Sequence, residues 1–384
     1  MKNKLKNITQ AADRIKQAAK NNETIIIYAD SDADGVCSAV ILQDAIKTLG
    51  GVVDVVMFPN REEDGYGINA RALELVKGKA PALFITLDLG ISNNNEIAAL
   101  NSMGFDVIVV DHHQPPDVLP PAHIIIDPKQ PGDESGLAHL ANVGVTFKLA
   151  EEMLAGRLSD AQRNSFLELV ALATISDMVP QIGENVEYIQ EGLRSLPHSF
   201  RPGFSAFFSA LPAADPQTHM KIIGAINAAE SVDFNNDAYT LLTLSSAAQC
   251  RELAENLLGR VRQKQLFIES IVQEVERRMN AKPSEQIIFE GDAAWKLTLA
   301  GPVASIIAQK YNKPTFIYKK MDNESAGSVR SLKEGENSVD AMKGCQDILI
   351  TYGGHPKASG FRVANKNLEE FKQRLSAYFT NHSR

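Results

Sequence analysis

Three apolar runs in the first third of the chain each stop at an acidic residue. Ile25-Ile26-Ile27-Tyr28 leads into Asp30-Ser31-Asp32-Ala33-Asp34-Gly35, Leu83-Phe84-Ile85-Thr86-Leu87 into Asp88-Leu89-Gly90, and Val107-Ile108-Val109-Val110 into Asp111-His112-His113. If the runs are parallel strands, their acids meet at the carboxyl edge of one sheet, where open α/β folds bind ligands. Carboxylates gathered that closely repel one another unless a cation sits among them. Hard oxygen ligands with one or two imidazoles suit Mn²⁺ or Mg²⁺ better than a thiolate-seeking ion. Two such ions can activate a water and neutralise charge on a phosphorus centre. Thr174-Ile175-Ser176-Asp177 ends a helical run with one more acid, the natural further ligand.

Blander readings exist for each group alone. An Asp after a strand commonly caps a helix or a turn. Asp-x-Asp-x-Asp-Gly also opens a calcium loop, but that loop needs flanking helices and a later Glu, whereas a strand precedes this one. His112 and His113 alone could be partly buried core histidines. Joint placement on successive strand ends favours the metal reading.

The elements that must position these groups are legible from period and punctuation. Strands are expected at 25–28, 52–57, 83–87, 107–110 and 124–126, with helices between them at 38–49 and 93–103; this is the pattern of βαβ units and a parallel sheet. Helices are expected at 143–154 and 166–175, and long amphipathic helices from 237 to 279. Lys282-Pro283-Ser284 looks like a boundary. Beyond it, strands are expected at 286–289, 315–318, 348–351 and 361–363. A helix with Pro302 in its first turn should run to Tyr311, and a last helix should span 368–379. The expected organisation is a parallel-sheet α/β domain over 1–236, a helical linker over 237–282, and a smaller α/β domain over 283–384, with the active-site cleft between the two domains.

These residues together resemble the DHH phosphoesterase superfamily. Its four motifs are matched by Asp32-Ala33-Asp34-Gly35 with Ser38, by Asp88 with Gly90, by Asp111-His112-His113 and by Asp177. Within it the chain is most similar to the RecJ branch, through Asn60-Arg61, Gly65-Tyr66-Gly67, Gly144-Val145, Ser176-Asp177-Met178-Val179-Pro180, Gly183-Glu184-Asn185 and Glu191-Gly192-Leu193. The resemblance implies that Asp88 bridges two metals and that Asp32 and Asp34 each serve one. It implies that His112 and Asp177 complete the second site, and that Asp111 and His113 ligate or orient from close by. Many members carry a metal-binding His where this chain has Tyr28, which implies either that one site is weaker or that Asp30 supplies the missing ligand.

Tyr352-Gly353-Gly354-His355 lies further on, followed by Pro356-Lys357-Ala358-Ser359-Gly360. Two glycines let backbone N–H groups approach an anion, and His355 adds a donor, although the same run also suits a tight strand connection. It resembles the Gly-Gly-His motif of the DHH-associated C-terminal domain, which implies substrate binding by Gly353, Gly354 and His355. Ser328, Arg330 and Ser331 resemble that domain's phosphate contact, and Arg61 is expected to touch the strand from the catalytic domain. Departures are visible too. The appended oligonucleotide-binding barrel is not seen, Asn227-Ala228-Ala229-Glu230-Ser231 lacks a following Gly-Arg, and no His precedes Gly301.

Composition excludes several classes. The 384 residues are 44% hydrophobic and hold three scattered cysteines, so neither a disulfide framework nor a thiolate zinc site is indicated. No apolar run reaches the roughly 18 residues of a membrane span, and the N-terminus lacks the apolar core of a secretory signal, so a soluble cytoplasmic protein is expected. The net charge of -8 is uneven: residues 1–245 hold 18 Lys+Arg against 31 Asp+Glu, residues 246–384 hold 21 against 16. That asymmetry fits a metal-holding half joined to a phosphate-gripping half.

The expected function is a two-metal phosphodiesterase acting as a RecJ-like 5′-to-3′ exonuclease on single-stranded DNA. The resemblance alone supplies the polarity and suggests replication or repair proteins as partners. The rivals are a short oligoribonucleotide or cyclic-dinucleotide phosphodiesterase and, more distantly, a pyrophosphatase or polyphosphatase or a catalytically silent replication scaffold.

Overall fold

The computed structural model describes residues 4–212, 215–281, 285–333 and 336–382. The chain divides into two compact units, Met1–Val261 and Arg262–Arg384.

In the first unit the order is α1 (Ile8–Asn21), β1 (Ile25–Ala29), α2 (Ala33–Thr48), β2 (Val55–Met57), α3 (Ala70–Val76), β3 (Ala82–Leu87), α4 (Asn94–Ser102), β4 (Phe105–Val110) and β5 (Ile124–Ile126). A helical layer follows: α5 (Asn142–Met153), α6 (Asp160–Ser176), α7 (Glu184–Ser195), α8 (Pro202–Ala210) and α9 (Thr218–Ile226). The unit continues through a two-residue ribbon, β6 (Ser231–Val232) and β7 (Asn235–Asn236), then α10 (Asp237–Thr243) and the start of α11 (Ala247–Asn280). All five long strands pair in parallel in the order β2-β1-β3-β4-β5.

Because side chains alternate across a strand, the continuous apolar run of β1 feeds two cores. Ile25, Ile27 and Ala29 pack with α1, α2, α5 and α6 on one face. Ile26 and Tyr28 pack with Phe84, Val107, Ile97 and Leu100 on the other. A sheet buried on both faces cannot slip register without turning one core outward, and this pins the strand ends. The chain reverses between β1 and β3, the switch point at which doubly wound sheets open a crevice.

The second unit takes in the remainder of α11, then β8 (Ile288–Asp292), α12 (Leu297–Tyr311), β9 (Thr315–Lys320), β10 (Glu324–Arg330), α13 (Ser338–Lys343), β11 (Leu349–His355), β12 (Ala358–Ala364) and α14 (Leu368–His382). Its sheet has the order β11-β12-β10-β9-β8, with β8 and β9 parallel and the other pairs antiparallel. Val303, Ala304 and Ile307 of α12 pack with Ile288 and Ile317 on one face, while Phe371 and Phe379 of α14 pack with Phe289, Phe316 and Phe361 on the other.

Several expectations need correction. The second strand begins at Val55 rather than 52, because the Asp54 carboxylate accepts from Ile25 N–H at 2.8 Å and ties the approach to the sheet. Pro302 does not open its helix; α12 begins at Leu297 and Pro302 lies inside it. The Gly-Gly-His run does not follow a strand but forms the end of β11, with Gly353 opposite Gly360 and Gly354 opposite Ser359. Strand β10 escapes a propensity reading because Ser325, Gly327 and Ser328 lack the branched side chains that mark strands. The two compact units divide inside α11, at 261/262, within the stretch expected as a helical linker; the expected boundary at Lys282-Pro283-Ser284 lies outside the described residues.

Candidate metal centre

Strand ends deliver the acids, and local backbone geometry aims them. Asp30 extends β1, its N–H donating to Leu87 O at 3.1 Å. Asp32 caps α2, accepting from Asp34 N at 3.0 Å and Gly35 N at 3.2 Å. Position 35 must be glycine, because a Cβ there would stand 2.2 Å from Asp30 O. Asp34, in the first turn of α2, accepts from Asn142 N at 2.8 Å and Val143 N at 2.7 Å. Those amides belong to the first turn of α5, where the orphan N–H groups of a helix favour an anion.

Asp88 extends β3 and takes a left-handed backbone, φ 62°, a conformation Asp tolerates better than most residues but at some cost. Three contacts hold it. Its N–H donates to Val110 O at 3.0 Å, its carbonyl accepts from Tyr66 Oη at 3.0 Å, and the Asn142 amide stands against it. Oriented to satisfy both its ends, that amide donates to Val110 O and accepts from Ser38 Oγ and Asp88 N.

Asp111 and His112 follow β4. The buried Asp111 carboxylate accepts from Ile91 N at 3.0 Å, His112 N at 2.8 Å, His113 N at 3.1 Å and His113 Nδ1 at 2.8 Å. Burial pushes its pKa up, but the His113 hydrogen bond and charge outweigh burial and leave it below the usual range. A carboxylate so fully engaged orients the two histidines rather than reaching outward.

His112 is buried, which together with the nearby His113 charge lowers its pKa to about 3. As a neutral ring it donates Nδ1–H to Leu140 O at 3.2 Å and aims the Nε2 lone pair at the acids. Nε2 lies 3.3 Å from Asp88 Oδ1, 3.6 Å from Asp177 Oδ2 and 3.8 Å from Asp34 Oδ2. Asp177 arrives as the C-cap of α6, its pKa raised to about 7 by burial and then by the charge of Asp32. Burial, followed by neighbouring carboxylates, also raises Asp34 and Asp88 well above the ordinary range. Burial raises Asp30 despite the opposing charge of Arg61.

The groups sort into three trios whose ligand atoms lie within 4.8 Å of one another: Asp34, His112 and Asp177; Asp30, Asp32 and Asp88; and Asp88, His112 and His113. Asp88 Oδ1 and His112 Nε2 are both buried and lack a hydrogen-bond partner among the described residues. Two unanswered acceptors facing each other inside a nest of acids make an environment that fits cations. Tyr28 takes no part. Its side chain points to the opposite face of the sheet, where the hydroxyl donates to Gly67 O at 3.1 Å and accepts from Asn69 Nδ2 at 3.1 Å.

Sequence reasoning missed the frame around this cluster. Asn142, Leu140 O and Tyr66 carry no metal-ligand signature, and Asn227 links Ala33 N, at 2.9 Å, to Ser176 Oγ, at 2.7 Å, from far along the chain. Asp127 also follows a strand, β5, and is buried, yet it belongs to none of the trios. It accepts from Lys129 N at 2.7 Å, and burial first raises its pKa to about 7. Strand β5 sits at the sheet edge, away from the β1/β3 switch point, so the strand-end rule reaches one residue too far.

The other expected contacts are described within their own units. Arg61 pairs with Asp30 and Asp32. In the second unit Arg330 is half-buried on β10, donating Nε–H to Ser305 Oγ at 3.0 Å and Nη1–H to Val329 O at 2.8 Å. No carboxylate pairs with it among the described residues. Burial lowers its pKa, and Ser328 lies nearby, both approaching Gly301 of α12. Ser331 is turned inward, donating to Glu336 Oε2 at 2.9 Å. Gly353, Gly354 and His355 are exposed on edge strand β11.

Comparison with known proteins places this geometry in context. The model of the DHH family, N-terminal domain, matches residues 24–174. The single-stranded-DNA-specific exonuclease RecJ of Bacillus subtilis is 32% identical over 97% of this chain and 48% of its own length; this chain therefore spans about half of that relative. The RecJ of Salmonella typhimurium is 30% identical, over 98% of this chain and 70% of its own. A crystal structure of exonuclease RecJ bound to manganese superposes with a TM-score of 0.80 at 29% identity, covering 98% of this chain and 95% of that one. The Mn²⁺ complex of RecJ from Thermus thermophilus gives 0.82 at 28% identity, covering 98% and 55%.

Proposed function

The chain belongs to the RecJ family of the DHH superfamily, and from that premise we propose that it is a metal-dependent exonuclease that hydrolyses single-stranded DNA from the 5′ end. One observation carries the reading: Asp88 Oδ1 and His112 Nε2, 3.3 Å apart, are buried without partners amid Asp30, Asp32, Asp34 and Asp177. Asp34, His112 and Asp177 would hold one divalent ion, Asp30 and Asp32 the other, with Asp88 between them. Mn²⁺ or Mg²⁺ is the expected pair, as in relatives whose structures contain those ions. When bound, such a pair supplies Lewis-acid polarisation of a phosphate and a lowered pKa for water.

The chain's own residues do the remaining work. Leu140 O fixes the tautomer of His112 by accepting its Nδ1–H, so that ring presents Nε2 to the acids without rearrangement, while Asp111 holds the His113 ring through Nδ1–H. Tyr66 ties His113 to the Asp88 turn, its hydroxyl 3.2 Å from Nδ1. In the second unit, Arg330 offers a guanidinium that no carboxylate pairs with among the described residues, and the exposed, side-chain-free backbone of Gly353 and Gly354 with the His355 ring suits a phosphate of the strand. Strand polarity follows from family membership. No helix among the described residues is long and apolar enough to cross a membrane.

The test is digestion of DNA and RNA oligonucleotides of graded length, single- and double-stranded, labelled at either end, with Mn²⁺. Immediate release of labelled mononucleotide from 5′-labelled single strands, and a shortening ladder from 3′-labelled ones, is expected. Activity confined to dimers and trimers would replace this reading with a short-oligonucleotide phosphodiesterase.

A further inference from the structure

The two halves of the acidic cluster are neutralised in different ways. Around Asp34 and Asp177 the donors are backbone amides and a neutral imidazole, and no Lys or Arg is ion-paired with either carboxylate among the described residues. Around Asp30 and Asp32 a full cation is already in place. Arg61 donates Nε–H to Asp30 Oδ1 at 2.6 Å and Nη2–H to Asp30 Oδ2, and Nη2 also reaches Asp32 Oδ2 at 2.9 Å.

We propose that Arg61 is the resident counter-ion of the Asp30/Asp32/Asp88 half, so that a divalent ion enters there only by displacing the guanidinium, and that the displaced guanidinium then grips a phosphate of the substrate. The inference rests on the two-ion reading above. It makes the two ions unequal: the Asp34/His112/Asp177 half fills first and the half guarded by Arg61 fills second.

Accessibility allows the exchange in one direction only. The Asp30 side chain is 1% exposed and cannot follow Arg61 outward, whereas the Arg61 side chain is 38% exposed and has a path to solvent. A buried carboxylate stripped of its partner is strongly disfavoured, so Arg61 leaves when another cation takes over and not before. The Tyr66 ring already flanks the engaged guanidinium, its centroid 5.8 Å from Arg61 Cζ, so an aromatic face adjoins the position that Arg61 leaves. The same planar fork that fits Asp30 fits a phosphate. Metal loading and substrate grip are thereby coupled: with the second site empty, Arg61 is engaged, and with it filled, Arg61 is available.

Competition of this kind divides the intrinsic affinity of the guarded site by the fraction of time Arg61 is away, which sets the second ion about tenfold or more weaker than it would be alone. Calorimetric titration of the full chain with Mn²⁺, cross-checked by the loss of the free-Mn²⁺ electron paramagnetic resonance signal, reads this directly. Wild type should show two ions of unequal affinity. Arg61→Gln should still bind two, with the tighter constant within about twofold and the weaker one strengthened about tenfold. Arg61→Lys, which keeps the charge but loses the fork, should fall between and guards against a folding defect in the Gln variant. In a second arm, thymidine 5′-monophosphate should bind wild type more tightly once the second ion is loaded, and that gain should be smaller in Arg61→Gln, where only the ion's own pull on the phosphate remains. A weaker-site constant unchanged or worsened by Arg61→Gln overturns the proposal while leaving the two-ion centre standing. No Mn²⁺ uptake by wild type would reject the two-ion reading itself.

Discussion

On the proposed reading, the carboxyl edge of the parallel sheet and the edge strand of the second unit are opposite solutions to handling phosphate chemistry. At the first, the ligating side chains are buried and each residue is held from another segment: Asp34 by the amides of the opening turn of α5, His112 by Leu140 O, and the backbone of Asp88 by the side chains of Tyr66 and Asn142. At the second, side chains are absent where they would obstruct, and Gly353 and Gly354 offer their main chain to solvent. The lesson is that holding cations requires a cage that forbids movement, whereas cradling an anion requires a surface that withholds atoms. Substitutions should accordingly fail differently in the two places.

The largest effect is expected at Asp88. Asp88→Asn keeps a residue that tolerates the left-handed backbone, removes the ligand proposed to be shared, and should reduce the proposed exonuclease rate on the order of a thousandfold or more. In the metal-free protein the same change removes a buried like-charge conflict, so thermal denaturation without Mn²⁺ should show a higher Tm than wild type. A lower Tm would show that Asp88 is a structural residue.

Next is the cage itself. Asn142→Ala deletes the amide that meets Val110 O, Ser38 Oγ and Asp88 N while sparing the backbone donors to Asp34. Stability should fall by about 1–3 kcal/mol in urea melts, and Mn²⁺ affinity or activity by roughly 10- to 100-fold, as for other supports of metal ligands. A variant that binds Mn²⁺ normally would remove Asn142 from the frame.

The glycine pair sharpens the contrast. A Cβ at Gly353 meets nothing within 4 Å, while one at Gly354, where φ is +123°, stands 2.7 Å from Ala358 O. Gly353→Ala should leave stability within about 0.5 kcal/mol yet weaken oligonucleotide binding several-fold, with Mn²⁺ binding untouched. Gly354→Ala should lose both binding and Tm. Equal, unimpaired oligonucleotide binding in the two variants would argue that β11 does not touch substrate.

The smallest effect is at Asp127. Its pKa is raised to about 7 when folded against about 3.9 for an unperturbed Asp, so the unfolded chain releases this proton first and stability drains away as pH climbs from about 4 to about 7. Asp127→Asn should therefore raise Tm more at pH 8 than at pH 4, with activity little changed. A pH-independent difference would remove Asp127 from the titrating set.

Much of this architecture was legible in the chain. Runs such as Ile25–Tyr28 and Val107–Val110 declare buried parallel strands, and acids at their ends converge because parallel strands share a direction. What stayed hidden came from sequence-distant partners: family-like stretches lie at Gly144-Val145 and at Asn227, but no residue type there announces the framing contacts, because Asn142 and Asn227 act on segments more than 50 residues away. Asp127 obeyed the strand-end rule but sits beyond the switch point. The strand expected at 348–351 stops short of the Gly-Gly-His run because glycine lacks the side chains that signal a strand, although pairing with Gly360 and Ser359 holds the run in the sheet. Tyr28 looked like a lost ligand, and the alternation of β1 sends it to the other core.

The most direct test is anomalous diffraction from crystals grown with Mn²⁺. Two peaks are predicted, one among Asp34, His112 and Asp177 and one among Asp30, Asp32 and Asp88, with Arg61 swung off Asp30 when the second is filled. Peaks elsewhere, or full Mn²⁺ saturation in solution with none at these carboxylates, would contradict the account.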